Sequence, residues 1–306
     1  MAAIFTKPKP DAADGAQALP AKLVGPVLDW RTLLPFGVAL GLLGILAWPV
    51  LTFWGYEYGK TESYYGHAPA IPFIAALMLW HKRDMLRATP KKPAFLALAV
   101  LLPALALLIF ATKMRAEALE STGLLLTLSA AVWLTLGTRF VRAAFLPLAF
   151  VWLMAPLPGP VLNDSTLRVQ MLSTVLADKL LHLISFGTTL IGNVIHMDNY
   201  SLFVDVPCSG FKLLLALLTF SAAFAFLVDG SAAKRFGLFL FSLPLALLVN
   251  SVRIALIGVV GECISPASAH VFHDWSGMIT LVLGFAALFG LAKGLGCRTF
   301  AGWAIF

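Results

Sequence analysis

Residues 205–228 read DVPCSGFKLLLALLTFSAAFAFLV. The stretch passes from a polar turn, Asp205-Val206-Pro207-Cys208-Ser209-Gly210, into almost uninterrupted hydrocarbon from Leu213 to Val228. An apolar run of this kind, entered through Pro, Ser and Gly, reads as the start of a membrane helix. A thiol at such a start meets unpaired N–H groups and the positive end of the helix dipole, which favour a thiolate. Lys212 lies one helical turn below Cys208 on the same face and is expected to add a second positive charge. The competing reading is a small residue in a turn that caps a membrane helix, and a single cysteine does not separate the two.

Working outward, the whole chain has the same character. Of its 306 residues 60% are hydrophobic and 12% charged, and the mean hydropathy is +0.89. A soluble domain carries about twice that charge, so the chain is an all-α polytopic membrane protein. Apolar runs at about 33–54, 66–81, 94–112, 121–137, 140–157, 209–228, 236–258 and 274–292 predict a bundle of eight transmembrane helices. Residues 1–32, rich in Pro, Ala and Lys, are expected to form a disordered tail, and 33–306 a single membrane domain whose first apolar run is an anchor, not a removed signal.

The excess of 22 Lys+Arg over 15 Asp+Glu sets an orientation. With the N-terminus inside, cytoplasmic segments collect fifteen basic residues and outer segments five, leaving Lys212 and Arg253 in or beside helices. The positive-inside rule then puts both termini in the cytoplasm. No aromatic residues interleave with the basic ones as single-strand binding requires, so nucleic acid is not an expected partner, whereas membrane lipid is. Residues 166–191 are apolar but interrupted by Arg168, Gln170, Asp178, Lys179 and His182 at near-helical spacing. They predict an amphipathic helix lying on the outer face. Between it and Cys208, Asp198-Asn199 punctuates two β-prone arms, which predicts a short hairpin aiming the Cys208 turn.

Ionisable groups within spans are costly, and each is a functional hypothesis. Arg253 lies in an aliphatic helix with Asn250 on the same face. Its alternative is an arginine that snorkels to the headgroups. The last helix opens His270-Val271-Phe272-His273-Asp274-Trp275-Ser276-Gly277, where an imidazole could move a proton. The alternative there is an interfacial belt around Trp275. The orientation, fixed without reference to these residues, brings Cys208, Arg253 and His273 to one depth on one side. Together they are a thiol nucleophile, a proton carrier and a permanent cation, the parts for acyl transfer. His67, in Glu62-Ser63-Tyr64-Tyr65-Gly66-His67, could line a substrate entrance on the same side or be an ordinary loop histidine. A zinc site from His270, His273 and Glu262 or Cys208 is a weaker alternative, because no His-Glu-x-x-His is present. A Cys208–Cys263 disulfide, which would remove the nucleophile, is another. The preferred reading needs neither metal nor cofactor.

These residues resemble the exosortase/archaeosortase family of membrane cysteine transpeptidases. The resemblance rests on Pro-Cys-Ser-Gly at 207–210, Asn-x-x-Arg at 250–253 and His-x-x-x-Gly at 273–277. Tyr-Tyr-Gly-His at 64–67, Pro72, Leu79-Trp80-His81-Lys82-Arg83 and Pro156-Leu157-Pro158 support it, in order, over about residues 50–290. Tyr65 departs from the pattern, in which Ser often stands. The resemblance implies that Cys208, Arg253 and His273 are catalytic. It implies protein substrates ending in a short motif such as Pro-Glu-Pro (PEP-CTERM), a membrane helix and a basic tail. It also implies a bacterial inner membrane with the active face in the periplasm, and exopolysaccharide-assembly proteins as separate chains. Lys212, Asn250, Ser209, Gly210, His67 and Gly277 are then expected around the catalytic groups or the substrate. The competing class is a non-catalytic scaffold or transporter component of exopolysaccharide export.

Overall fold

The computed structural model describes residues 30–60, 62–205 and 208–304. Most of the expected N-terminal tail lies outside the described residues, and residues 30–32 open the first helix. The described residues from Leu46 onward form one compact unit, set apart from those up to Ile45.

Ten α-helices are described. They are α1 (Trp30–Gly59), α2 (Ile71–His81), α3 (Arg83–Ala88), α4 (Leu98–Met114), α5 (Glu117–Ala143), α6 (Phe145–Val151), α7 (Gly159–Leu183), α8 (Phe211–Leu227), α9 (Ala232–Cys263) and α10 (Pro266–Gly294). A three-stranded antiparallel sheet, β1 (Thr189–Ile191), β2 (Val194–His196) and β3 (Ser201–Phe203), lies between α7 and α8. Strands β4 (Thr299–Phe300) and β5 (Trp303–Ala304) pair after α10. The chain is thus a largely helical membrane protein. Among the described residues four helices are long and apolar enough to cross a bilayer: Phe95–Met114, Glu117–Ala143, Ala232–Cys263 and Pro266–Gly294. A fifth candidate is the pair Phe145–Met154 and Gly159–Leu183, bent by 88°. The runs expected to span at 66–81 and 209–228 become shorter apolar helices, Ala68–His81 and Phe211–Leu227. At 1.5 Å per residue, 17 residues reach about 25 Å, less than a hydrocarbon core of about 30 Å. Lipid-facing chemistry is visible on α10, where Val271, Trp275, Met278, Ile279, Val282 and Leu283 are all exposed.

The break expected between the runs 121–137 and 140–157 falls on Gly137. It interrupts α5 with φ 87° and ψ 168°, a conformation open to glycine, where the chain presses on the Lys92 carbonyl. Ala94 N–H donates to Leu134 O at 3.0 Å, and Lys82 Nζ to Ala143 O at 3.4 Å. Tyr58 Oη donates to Met154 O at 2.6 Å and Leu157 N–H donates to Tyr65 Oη at 2.8 Å.

Two expectations change around the sheet. The amphipathic helix ends at Leu183, not 191, because Ser185 adopts φ 68° and Phe186 N–H returns to Leu181 O at 3.1 Å. This left-handed stop satisfies orphan carbonyls at the helix end. The residues released become β1, so β2 and β3 pair across the 197–200 turn with a third strand beside them. Second, α7 does not turn all its polar residues to the outside. Gln170, Ser173, Thr174, Ala177 and Leu181 are buried, whereas Arg168 and Lys179 are exposed. The buried row follows i, i+3, i+4, i+7 and i+11 and faces α9 and the sheet.

One buried cluster joins these parts: Ala177 and Leu181 from α7, Ile195, Leu202 and Val204 from the sheet region, Ile254, Ala255 and Ile257 from α9, and Ala269 from α10. Cys208, Tyr200 and Phe272 pack on its margin. The end of the chain is fixed separately. Asp229 accepts from the N–H groups of Arg298 at 2.8 Å and Thr299 at 2.9 Å, and these bonds hold its carboxyl below the ordinary range.

Candidate active site

The strand β3 delivers the chain to Val204, which is buried, and Cys208 and Ser209 lead into α8. Cys208 N–H donates to Asp205 O at 2.9 Å, and Gly210 caps α8 with φ 81°. Only glycine fits there without strain, and an added Cβ would be driven into the Asn250 side chain, to within 2.9 Å of its Cβ. Gly210→Ala is therefore expected to destabilise the protein by about 1–2 kcal/mol from backbone strain alone. A thermal-unfolding midpoint equal to that of the native chain would contradict this.

Asn250 holds the turn from α9, its Nδ2 donating to the Cys208 carbonyl at 3.2 Å. One helical turn further, Arg253 crosses to α10. Its Nε donates to Ser276 Oγ at 2.8 Å and its Nη2 to the His273 carbonyl at 3.1 Å. Ser276 Oγ also donates to that carbonyl, at 3.0 Å. The imidazole of His273 points to Cys208, with Nε2 and Sγ in hydrogen-bond contact, while Nδ1 lies 3.4 Å from Asp274 Oδ1. The loop before α8, the middle of α9 and the second turn of α10 thus place a thiol, a guanidinium and an imidazole together. Cys208 and His273 are half-buried, and Arg253 likewise.

The electrostatics differ from the expectation of a thiolate at a helix start. Burial pushes the Cys208 thiol above its ordinary range; Arg253 draws it down, and Asp205 and Glu62 push it up again. The helix begins at Phe211, so Cys208 and Lys212 are not a helical turn apart, and Lys212 is exposed. The cation acting on the sulfur is Arg253. Burial thus works against a resident thiolate, and the sulfur faces an imidazole that can take its proton.

The family model of the transmembrane exosortases matches residues 54–290. The chain belongs to the transmembrane exosortase family. Comparison with curated proteins and with solved structures returns no significant match.

Within this exosortase fold the other expected residues take different places. Ser209 is buried; its Oγ accepts from Phe211 N–H at 3.2 Å, and its carbonyl accepts from Ser173 Oγ at 3.3 Å. Gly277 lies against Arg253, where an added Cβ would sit 3.7 Å from Nη2, an ordinary contact. His67 is not in the Cys208–Arg253–His273 group: its Nε2 lies 3.2 Å from Thr219 Oγ1, two turns into α8. Its neighbour Tyr64 meets the Phe211 ring edge-on at 5.7 Å, so the 62–67 loop borders the start of α8. All three cysteines are free, with Cys263 exposed and Cys297 buried. Among the described residues no three His, Cys, Asp or Glu side chains gather as a zinc site needs, and Glu262 instead accepts from Asn199 N–H and Nδ2. Sequence reasoning did not single out Ser276, Gln170 or Ser173. Ser276 stands three residues after His273, and that spacing was the available signal.

Proposed function

We propose that the chain is a membrane-embedded cysteine protease and transpeptidase that cuts a C-terminal sorting signal from exported proteins. The observation that carries the reading is the facing of Cys208 Sγ and His273 Nε2, with Arg253 tied to the same turn of α10. In the first step the thiol proton passes to His273 Nε2 as sulfur bonds to the scissile carbonyl carbon. The carbonyl oxygen takes the electron pair of its π bond and is stabilised by the Arg253 cation, two of whose five N–H donors are engaged by α10. The C–N bond then breaks, His273 returns the proton to the leaving amine, and a thioester remains on Cys208. An acceptor, water or an amine, gives a proton to His273 and attacks the thioester, and the sulfur leaves to regenerate the thiol. The family-level expectation for the substrate is a motif of the Pro-Glu-Pro kind, a membrane helix and a basic tail.

The eight-span arrangement, with both termini in the cytoplasm of a bacterial inner membrane and the site at the periplasmic face, belongs to this proposal. Its support is that segments assigned to one side touch one another: Lys82 meets Ala143 and Lys92 lies against Gly137, whereas Tyr58 and Tyr65 meet Met154 and Leu157. Exopolysaccharide-assembly proteins are proposed as separate partners.

The test is a reporter protein carrying motif, apolar helix and basic tail, expressed with and without this chain. Mass spectrometry of its C-terminus should find the helix and tail removed only when the chain is present. An intact reporter in both would sink the proposal, and a scaffold or transporter would produce that result.

A further inference from the structure

We infer that Gln170, with Ser173, is a positioning residue for the Cys208 nucleophile, so that α7 serves as the backing of the reactive turn. The inference rests on the cysteine-protease reading above. Gln170 is 4% exposed and Ser173 fully buried, on an inner face shared with Thr166, Thr174, Ala177 and Leu181. Burying an amide is unfavourable unless it gains a hydrogen bond. Gln170 Nε2 donates to the Val204 carbonyl at 2.5 Å and Ser173 Oγ to the Ser209 carbonyl at 3.3 Å. These two carbonyls flank the turn that carries Cys208. The middle of the turn is held from the opposite helix by Asn250 on the Cys208 carbonyl. Three side chains from two helices thus grip three carbonyls of residues 204–209, the first and last from α7.

The Val204 carbonyl does not need Gln170 for satisfaction. Asn193 Nδ2 also donates to it, at 3.1 Å, and Val204 N–H is paired with Asn193 O at 2.9 Å. Replacing Gln170 by an apolar residue of similar size therefore strands no buried carbonyl. What it removes is the link between the turn and α7. Displacement of a nucleophile by about 1 Å lowers a rate by up to about 100-fold. The role is thus one of aim and not of fold.

The experiment uses the full chain in lipid nanodiscs with the tripartite reporter as substrate. Gln170→Leu is expected to stay folded, to lower kcat by about 10- to 100-fold and to leave KM within about twofold. A second readout needs no substrate: the rate at which iodoacetamide alkylates Cys208, followed on its own peptide by mass spectrometry. In the native background His273→Ala changes this rate. In the Gln170→Leu background the same change should have little further effect, because the sulfur has already left its imidazole partner. Undiminished coupling between Cys208 and His273 in Gln170→Leu, together with native kcat, would overturn the positioning role alone. Reporter cleavage that survives Cys208→Ala would overturn the protease reading and this inference with it. The nearly isosteric Gln170→Glu, which presents acceptors to the Val204 carbonyl when ionised, should repeat the Leu result. If both variants fail to fold, Gln170 is a folding residue and the assignment is wrong.

Discussion

Replacement of Cys208 by alanine is expected to leave the C-terminal anchor on the reporter, with cleavage slowed about 10⁴-fold or more. The reason lies in the bonds the mechanism makes. Neither of the other two cysteines is bonded to His273: Cys263 is exposed at the C-terminal end of α9 and Cys297 is buried beside Ala292 and Val228. His273→Ala should cost nearly as much, because a thiol raised by burial has little thiolate of its own to offer. The double variant should be scarcely worse than either single one, as groups acting as a unit do not contribute additively. Quantitative mass spectrometry of the reporter C-terminus reads all three. A double variant whose losses simply multiply would show that the two residues act in separate steps.

Arg253→Met is expected to lower cleavage about 10²- to 10³-fold, the range seen when one oxyanion-stabilising group is lost. It should also change the thiol itself. Arg253 is the one group drawing the Cys208 pKa down against burial, Asp205 and Glu62. Without it the pKa rises, less thiolate exists at any given pH, and alkylation of Cys208 shifts to higher pH. Arg253→Lys keeps the charge but loses the planar fork to Ser276 and the His273 carbonyl. It should preserve most of the alkylation profile and recover only part of the cleavage. Ser276→Ala separates anchoring from charge, since it removes one contact of the guanidinium and leaves the cation in place. An unchanged alkylation profile in Arg253→Met would exclude Arg253 as the cation felt by the sulfur.

Much of this arrangement is legible in the chain before any coordinates. The turn at 207–210, Asn250 and Arg253 three apart, and an imidazole at the head of the last helix each broke an apolar pattern. The eye finds such residues because lipid makes them expensive. The gap between the apolar runs 121–137 and 140–157 is equally visible, although the residue that makes the break, Gly137, closes the first run. What stayed hidden followed from packing. Gln170 and Ser173 look like the solvated side of an amphipathic helix, and periodicity does not distinguish a polar face turned to water from one turned to backbone carbonyls. The stop at Ser185 carried no glycine to announce it. The upward shift of the thiol is not legible in the sequence, because burial is a property of the assembled site, whereas a helix start can be read from the residues.

His273 belongs to the last long helix, 65 residues after Cys208. A ribosome therefore releases the sulfur and the guanidinium before it releases the base. Under the proposed mechanism, copies that stop before α10 lack the proton acceptor for the thiol and are expected to leave the reporter uncut.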